Sequence, residues 1–242
     1  MKNSRRLRLP GFALAAVFSF VVSCALTSCE GVDTYTQPAA VRVIDASYAA
    51  SAVKVNLEGA LFAANLVKGA FTNYGTLRAK NGATVSVAPV AGGADLISSN
   101  HTLLPGEQHS ILISDSGSTP ATYKVSLLDD QRTAAPAGHS AFRFINQRTK
   151  AGAVDIYMVP GGVALANAVP IVSDLAAGSF TGYVTLNSRA VNMIVTAAGT
   201  SKIQYSSPVI DLDGGEVRTA LIMDTQRTAS SPVMVFIGSD VN

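Results

Sequence analysis

Few residues in this sequence have the types and spacing that chemistry demands. A catalytic serine needs a base and an orienting acid within hydrogen-bond reach. Ser114-Asp115-Ser116-Gly117-Ser118 is a faint match to a serine nucleophile loop, and His101, His109 and His139 are the three imidazoles that would serve it. The loop follows a period-two run, Met223-Asp224-Thr225 stands at the matching place later in the chain, and no Gly-x-Ser-x-Gly elbow occurs. No catalytic residue is assigned, and an esterase-like hydrolase is the weakest function class. His101 and His109 flank the turn Leu104-Pro105-Gly106-Glu107 and, in one hairpin register, share a face. Zinc wants a third and a fourth ligand, only Glu107 is near, and the sequence implies a surface histidine pair with no metal. Asp211-Leu212-Asp213-Gly214-Gly215-Glu216 alternates carboxylates around glycine as calcium ligands do. The matching earlier segment, Thr102 to Glu107, keeps the glycine without either aspartate, so backbone geometry accounts for that glycine. Calcium at Asp211 and Asp213 stays open and unfavoured. Tyr48, Tyr74, Tyr123, Tyr157, Tyr183 and Tyr205 offer a sugar-stacking platform, although Tyr74 and Tyr183 match between two copies, which points to a shared packing role. There is no Trp.

Those comparisons rest on an internal repeat. Val41-Arg42-Val43-Ile44-Asp45-Ala46, followed by Ala52-Val53-Lys54-Val55-Asn56, returns as Phe142-Arg143-Phe144-Ile145-Asn146-Gln147, followed by Ala153-Val154-Asp155-Ile156-Tyr157, at an offset of 101. Gly106-Glu107 and Ile111-Leu112-Ile113 return as Gly215-Glu216 and Ala220-Leu221-Ile222 at an offset of 109, so the second copy has gained about eight residues. A period near 100 is the length of one small domain and too long for a solenoid unit.

Both cysteines, Cys24 and Cys29, precede the repeat, so neither staples a domain. Met1 to Leu9 carries Lys2, Arg5, Arg6 and Arg8 with no acid, and Gly11 to Leu26 is nearly all apolar, as in a secretory signal. The apolar run is short for a membrane span, which needs ~20 residues. Leu26-Thr27-Ser28-Cys29 resembles the lipobox of bacterial lipoproteins, and Val21-Val22-Ser23-Cys24 fits more loosely from inside the apolar run. The resemblance implies cleavage before Cys29, transfer of a diacylglycerol to its thiol and three acyl chains on the mature protein in all, enough for stable retention. Glu30, where Asp would favour the inner membrane in enteric bacteria, implies the outer one. Losing the leader removes four of 18 basic residues and none of 16 acidic ones, turning the net charge from +2 to −2 and removing any basic-patch case for nucleic acid.

From Val41 onward the hydrophobic period is two. Val85 and Val87, then Tyr123, Val125 and Leu127, then Val154, Ile156 and Met158, then Val217, Thr219, Leu221 and Met223 alternate with their neighbours. The runs are separated by Asn81-Gly82, Gly92-Gly93, Pro105-Gly106, Gly161-Gly162 and Gly214-Gly215. This predicts an all-β chain: two tandem Ig-like β-sandwiches after an N-terminal signal helix. The divisions are a signal peptide at 1–28, a tether at 29–39, repeat 1 at 40–130, a linker at 131–139 and repeat 2 at 140–242. So short a linker makes the sandwiches touch or hinge rather than swing, and Val233 to Ile237, apolar on both faces, is a central strand or part of the contact between them.

The frame Val41-Arg42-Val43-Ile44-Asp45-Ala46-Ser47 with Ala52-Val53-Lys54-Val55, and its echo from Phe142 to Tyr157, resembles the bacterial domain of unknown function family 4397 in two passes over about 40 to 240. The second copy keeps that family's Asp as Asp155, whereas the first has Lys54, which favours a structural role for the carboxylate. Where the family often has His after the first strand, this chain has Asp45 and Asn146. The resemblance implies a secreted or surface-attached sandwich with no established activity. Together these features predict a non-enzymatic, lipid-anchored cell-envelope interaction or scaffold module without a cofactor, its partner an envelope protein or a glycan. A carbohydrate-binding surface module is the alternative.

Overall fold

The alternation seen in the sequence becomes strand in the computed structural model, which describes residues 37–149, 152–225 and 232–240. The expected signal helix, Cys24 and Cys29 lie outside the described residues. The first copy forms β1 (Ala39–Ala46), β2 (Ala52–Leu57), β3 (Ala60–Val67), β4 (Gly75–Leu77), β5 (Lys80–Pro89), β6 (Ile97–Leu103), β7 (Gln108–Asp115) and β8 (Tyr123–Asp129). The second forms β9 (His139–Asn146), β10 (Val154–Pro160), β11 (Val172–Leu175), β12 (Ser179–Phe180), β13 (Val184–Asn187), β14 (Ala190–Ala197), β15 (Ile203–Asp211), β16 (Val217–Asp224) and β17 (Val233–Ser239). A 3-10 turn at Leu165–Asn167 is the one helical element among the described residues.

Each sandwich pairs an inner sheet with an outer one. The inner sheets run β4-β1-β7-β8 and β12-β9-β16-β17, with β13 also on β9; the outer sheets run β3-β2-β5-β6 and β11-β10-β14-β15. Among the described residues no sheet mixes strands of the two copies. The β2–β3 hairpin turns tightly on Glu58 and Gly59, both at positive φ. Its counterpart after β10 is the longer loop holding the 3-10 turn, which is where the extra residues sit. Asn81-Gly82, expected as a turn between strands, lies inside β5 instead. There the pairing slips between Lys80 and Ala83, and Gly82 takes φ 71° in the bulge.

Strands β1, β7, β9 and β16 are buried on both faces. One face is ordinary sandwich core: Val41, Val43, Ile111 and Ile113 pack with the first outer sheet, and Phe142, Phe144, Ala220 and Ile222 with the second. The opposite faces meet each other. Ile44, Ala46, Leu112 and Leu128 of the first copy pack with Ile145, Leu221 and Met223 of the second, flanked by Tyr48, Phe71 and Phe236. The sandwiches are thus joined inner sheet to inner sheet, and Phe236 places β17, an edge strand, in the contact between them.

At the centre of this seam, Arg42 and Arg143 are 1% and 2% exposed. Their salt bridges cross between the sandwiches: Arg42 Nη2 lies 2.6 Å from Asp240 Oδ1, and Arg143 Nη2 lies 2.6 Å from Asp130 Oδ1. Ser110 and Thr219, which match at the repeat offset, supply hydroxyls to both guanidiniums and donate to Asp130 and Asp240 respectively. The Tyr74 and Tyr183 hydroxyls donate to the same two carboxylates, while their rings lie 4.9 and 5.0 Å from the Arg42 and Arg143 guanidiniums. The matched tyrosines therefore have the shared packing role, and burial pushes both phenols well above their ordinary pKa. Desolvating two ion pairs is unfavourable, and only such complete partnering offsets it.

Removing one partner leaves a buried charge uncompensated. Arg143→Met, which takes from Asp130 its cation at 2.6 Å and leaves it Arg42 Nε at 3.9 Å, is expected to cost about 3–5 kcal/mol in urea unfolding; a loss under about 1 kcal/mol would mean that the network does not hold the seam. The glycines Gly69 (φ 82°) and Gly178 (φ 76°) occupy matching places. A Cβ on Gly69 would fall 2.3 Å from the Phe236 ring, whereas one on Gly178 meets nothing. Both alanine variants lose about 1–2 kcal/mol to the left-handed backbone, and Gly69→Ala is expected to lose about 1–3 kcal/mol more through overpacking, read as the difference between their thermal unfolding curves.

Candidate functional site

The fold separates most residues that the sequence offered for chemistry. Strand β6 belongs to the outer sheet and β7 to the inner one, so the Leu104–Glu107 turn carries the chain across the sandwich, and His101 and His109 are not hairpin neighbours. His101 Nε2 bonds to Ser99 Oγ at 2.9 Å. His109 Nε2 accepts from the Leu104 amide at 3.2 Å, so Nδ1 carries the proton that faces Asp129 at 3.0 Å. His139 Nδ1 bonds to the Ala137 carbonyl, and Ser116 Oγ pairs with Ser118 Oγ at 2.6 Å. His109 and Ser116 bracket β7, seven strand positions or about 23 Å apart. Glu216 pairs with Arg218 and accepts from the Asp213 amide, which commits the acid of the Asp211–Asp213 loop. Among the described residues no three His, Cys, Asp or Glu side chains group as a metal site would need. Asp155 accepts from the Asp174 and Gly199 amides at 2.8 Å each and ties β11 and the β14–β15 turn to β10.

What the fold does build is a cleft of about 340 Å³ beside the seam. It exists because the halves of the seam are related by the repeat but filled differently. In one half, Leu221 and Met223 of β16 and Met234 and Phe236 of β17 line up across the strand pair, Leu221 opposite Phe236 and Met223 opposite Met234. Phe236 lies against Gly69, and Phe71 lies against Gly238. Lys68 closes the end, its ammonium 5.2 Å from the Tyr48 ring and donating to the Thr225 carbonyl at 2.8 Å. In the other half the four matching positions are Leu112, Ser114, Lys124 and Ser126, with Leu112 opposite Ser126 and Ser114 opposite Lys124. Ala177 and Thr149 replace Lys68 and Tyr48. Leu128 stands in place of Gly238, the glycine against which Phe71 packs in the other half. The matching Phe180, on the short edge strand β12, is left 50% exposed on the cleft wall.

Polar groups around the cleft differ in how far they are committed. Asp115 accepts from the Tyr48, Ala49 and Gly117 amides at 2.6, 2.7 and 2.8 Å and so holds the loop after β1. Behind it Asp45 is buried, with Oδ1 accepting from the Ser47 amide and hydroxyl and Oδ2 finding no partner among the described residues. Burial pushes its pKa from 3.8 up to about 6, against the lowering effect of the Ser47 hydrogen bonds. The fold therefore favours the protonated acid: this contribution is complete below about pH 4 and is lost as pH rises through about 6. The second copy has the neutral amide Asn146 here, which donates to the Leu175 carbonyl at 2.8 Å. Asp45→Asn is expected to raise stability at pH 7.5 by on the order of 2 kcal/mol, to change little at pH 4, and to flatten the dependence between, as followed by urea midpoints across that range.

A family model described as a domain of unknown function (DUF4397) matches residues 39–157, which takes in the whole first copy, β9 and the first half of β10. The match is single, where the sequence repeat led us to expect two passes. No curated protein matches the chain. Among solved structures, the chain is similar to CBMbc, a family CBM26 module of Eubacterium rectale Amy13K in complex with maltoheptaose, at 11% identity and a TM-score of 0.24, covering 83% of this chain and 96% of that one. It is also similar to a structure of alpha-glucan binding by a streptococcal virulence factor, at 12% identity and a TM-score of 0.26, covering 81% of this chain and 95% of the other. Scores this low carry no functional information. Residues 39–157, which open on the VRVIDAS frame, are thus similar to the DUF4397 domains over just under half of the chain.

Proposed function

We propose that this chain is a non-enzymatic, lipid-anchored protein of the bacterial cell envelope, tied to the outer membrane by acylated Cys29 and acting there as an interaction or scaffold module for an envelope protein or a glycan. One observation carries the interaction reading: an open cleft beside the seam is lined by Ser114, Lys124, Ser126 and Gln147, whose side chains bond to no described residue, and no nucleophile stands there with its base. The esterase-like alternative draws no support from Ser116, which lies at the far end of β7 from His109. The carbohydrate alternative gains from the exposed ring of Phe180. It gains nothing from Tyr48, Tyr74 and Tyr183, whose hydroxyls bond within the seam.

The tie to lipid is tested on the protein expressed with its leader. Intact-mass measurement is expected to show a mature chain starting at Cys29 and carrying three acyl chains, and Cys29→Ser is expected to move the protein from the membrane fraction to the soluble one, with Cys24→Ser unchanged. Retention of the Cys29→Ser protein on membranes overturns the anchor.

A further inference from the structure

We infer that the cleft between Phe180 and the β7–β8 face binds a single six-membered sugar ring, a hexopyranose unit of a glycan. This deepens the interaction reading above and is independent of the lipid tie.

The size of the occupant follows from the repeat. The matching space in the other half of the seam is filled by the Phe236 ring, which lies against Gly69. On the cleft side Gly178 faces open space and Ser126 replaces the phenylalanine, so what is missing is about one ring. The volume of about 340 Å³ falls at the lower end of the range for small-molecule sites.

The chemistry of the occupant follows from the lining. Gln147 is 8% exposed, yet its side-chain amide makes no hydrogen bond to any described residue and borders the cleft. An amide at a cleft wall, uncommitted to the protein, can both donate to and accept from a ligand. The Ser114 and Ser126 hydroxyls on the facing strands also make no hydrogen bond to described residues, and Lys124 adds a donor beside them. Opposite stands the Phe180 ring, an apolar surface half open to water. An apolar wall on one side, with hydroxyls, an amide and an ammonium on the other, suits a ring whose faces carry C–H groups and whose rim carries hydroxyls. A fully apolar ligand would leave Gln147, Ser114 and Ser126 unsatisfied. A flat anion would find a single cation, with the Asp115 carboxylate nearby.

The test uses the full chain in detergent, titrated with methyl hexopyranosides of the gluco, galacto, manno and N-acetylglucosamine series and with a methyl uronide, while the Gln147 side-chain amide is followed by NMR. At least one saccharide is expected to give saturable shifts of that resonance. Ser126→Phe puts into the cleft the ring that the other half of the seam already accommodates; it is expected to keep the fold and abolish the shifts. Phe180→Ser changes an exposed side chain and is expected to weaken binding about tenfold, the scale of one lost aromatic contact. No saturable shift with any saccharide overturns the assignment, as does binding untouched by both variants. Binding of an extended peptide library, blocked by Ser126→Phe in the absence of saccharide binding, gives the cleft to peptides and overturns it equally. Cys29→Ser protein that leaves the membrane yet still binds saccharide separates this site from the anchor.

Discussion

Two buried arginine–aspartate pairs, crossed between the sandwiches, are the constraint on which the arrangement of this protein depends. Each guanidinium leaves water and takes a carboxylate, a hydroxyl and a main-chain carbonyl from the opposite copy, while its own copy adds a second hydroxyl and a tyrosine ring over its face. Arginine suits this place better than lysine, because its planar fork satisfies several acceptors at once and stacks on aromatic rings. Such a network has value only when complete. The sandwiches are therefore held in one relative position, and the chain between them is packed too: Ala135 sits with Ala141 and Val217, and its amide donates to the Gly215 carbonyl.

Fixing the two sandwiches in this way makes the seam nearly two-fold in character, since Arg42 and Arg143, Ser110 and Thr219, Tyr74 and Tyr183, and Asp130 and Asp240 exchange roles. Departures from that symmetry are then informative. Around the charged centre one half is closed by Phe71, Phe236, Met223, Met234 and a capping Lys68. The other half has hydroxyls and an ammonium in the methionine and phenylalanine positions, and it stays open. A duplicated unit provides its own reference for what a filled site looks like, and the cleft is visible as the place where the filling has been replaced by polar side chains.

The duplication, the strands and the all-β class were legible because period-two alternation and a 101-residue echo are local properties of the chain. The bulge at Asn81-Gly82 was not, because a bulge and a turn require the same positive-φ glycine, and only the pairing of β5 with β6 tells them apart. The proposed hairpin of His101 and His109 failed for a related reason. In a sandwich the chain crosses between sheets as readily as it folds back, and a Pro-Gly turn serves both. The cleft went unseen although every residue of it was in view. Ser114, Lys124 and Ser126 look like the solvent face of ordinary edge strands until the face opposite them is known.

Residue types and their spacing alone determined that Arg42 and Arg143 hold matching places in a repeated frame, alternating with valines and phenylalanines, and that Tyr74 and Tyr183 share a task. Tertiary structure alone decided that the face carrying the arginines is buried. Alternation assigns a side chain to one of two faces and says nothing of what covers each. That covering came from another copy of the same unit, more than a hundred residues away in the chain. It turned two outward arginines into the centre of a seam, and one mismatched edge of that seam into a cleft.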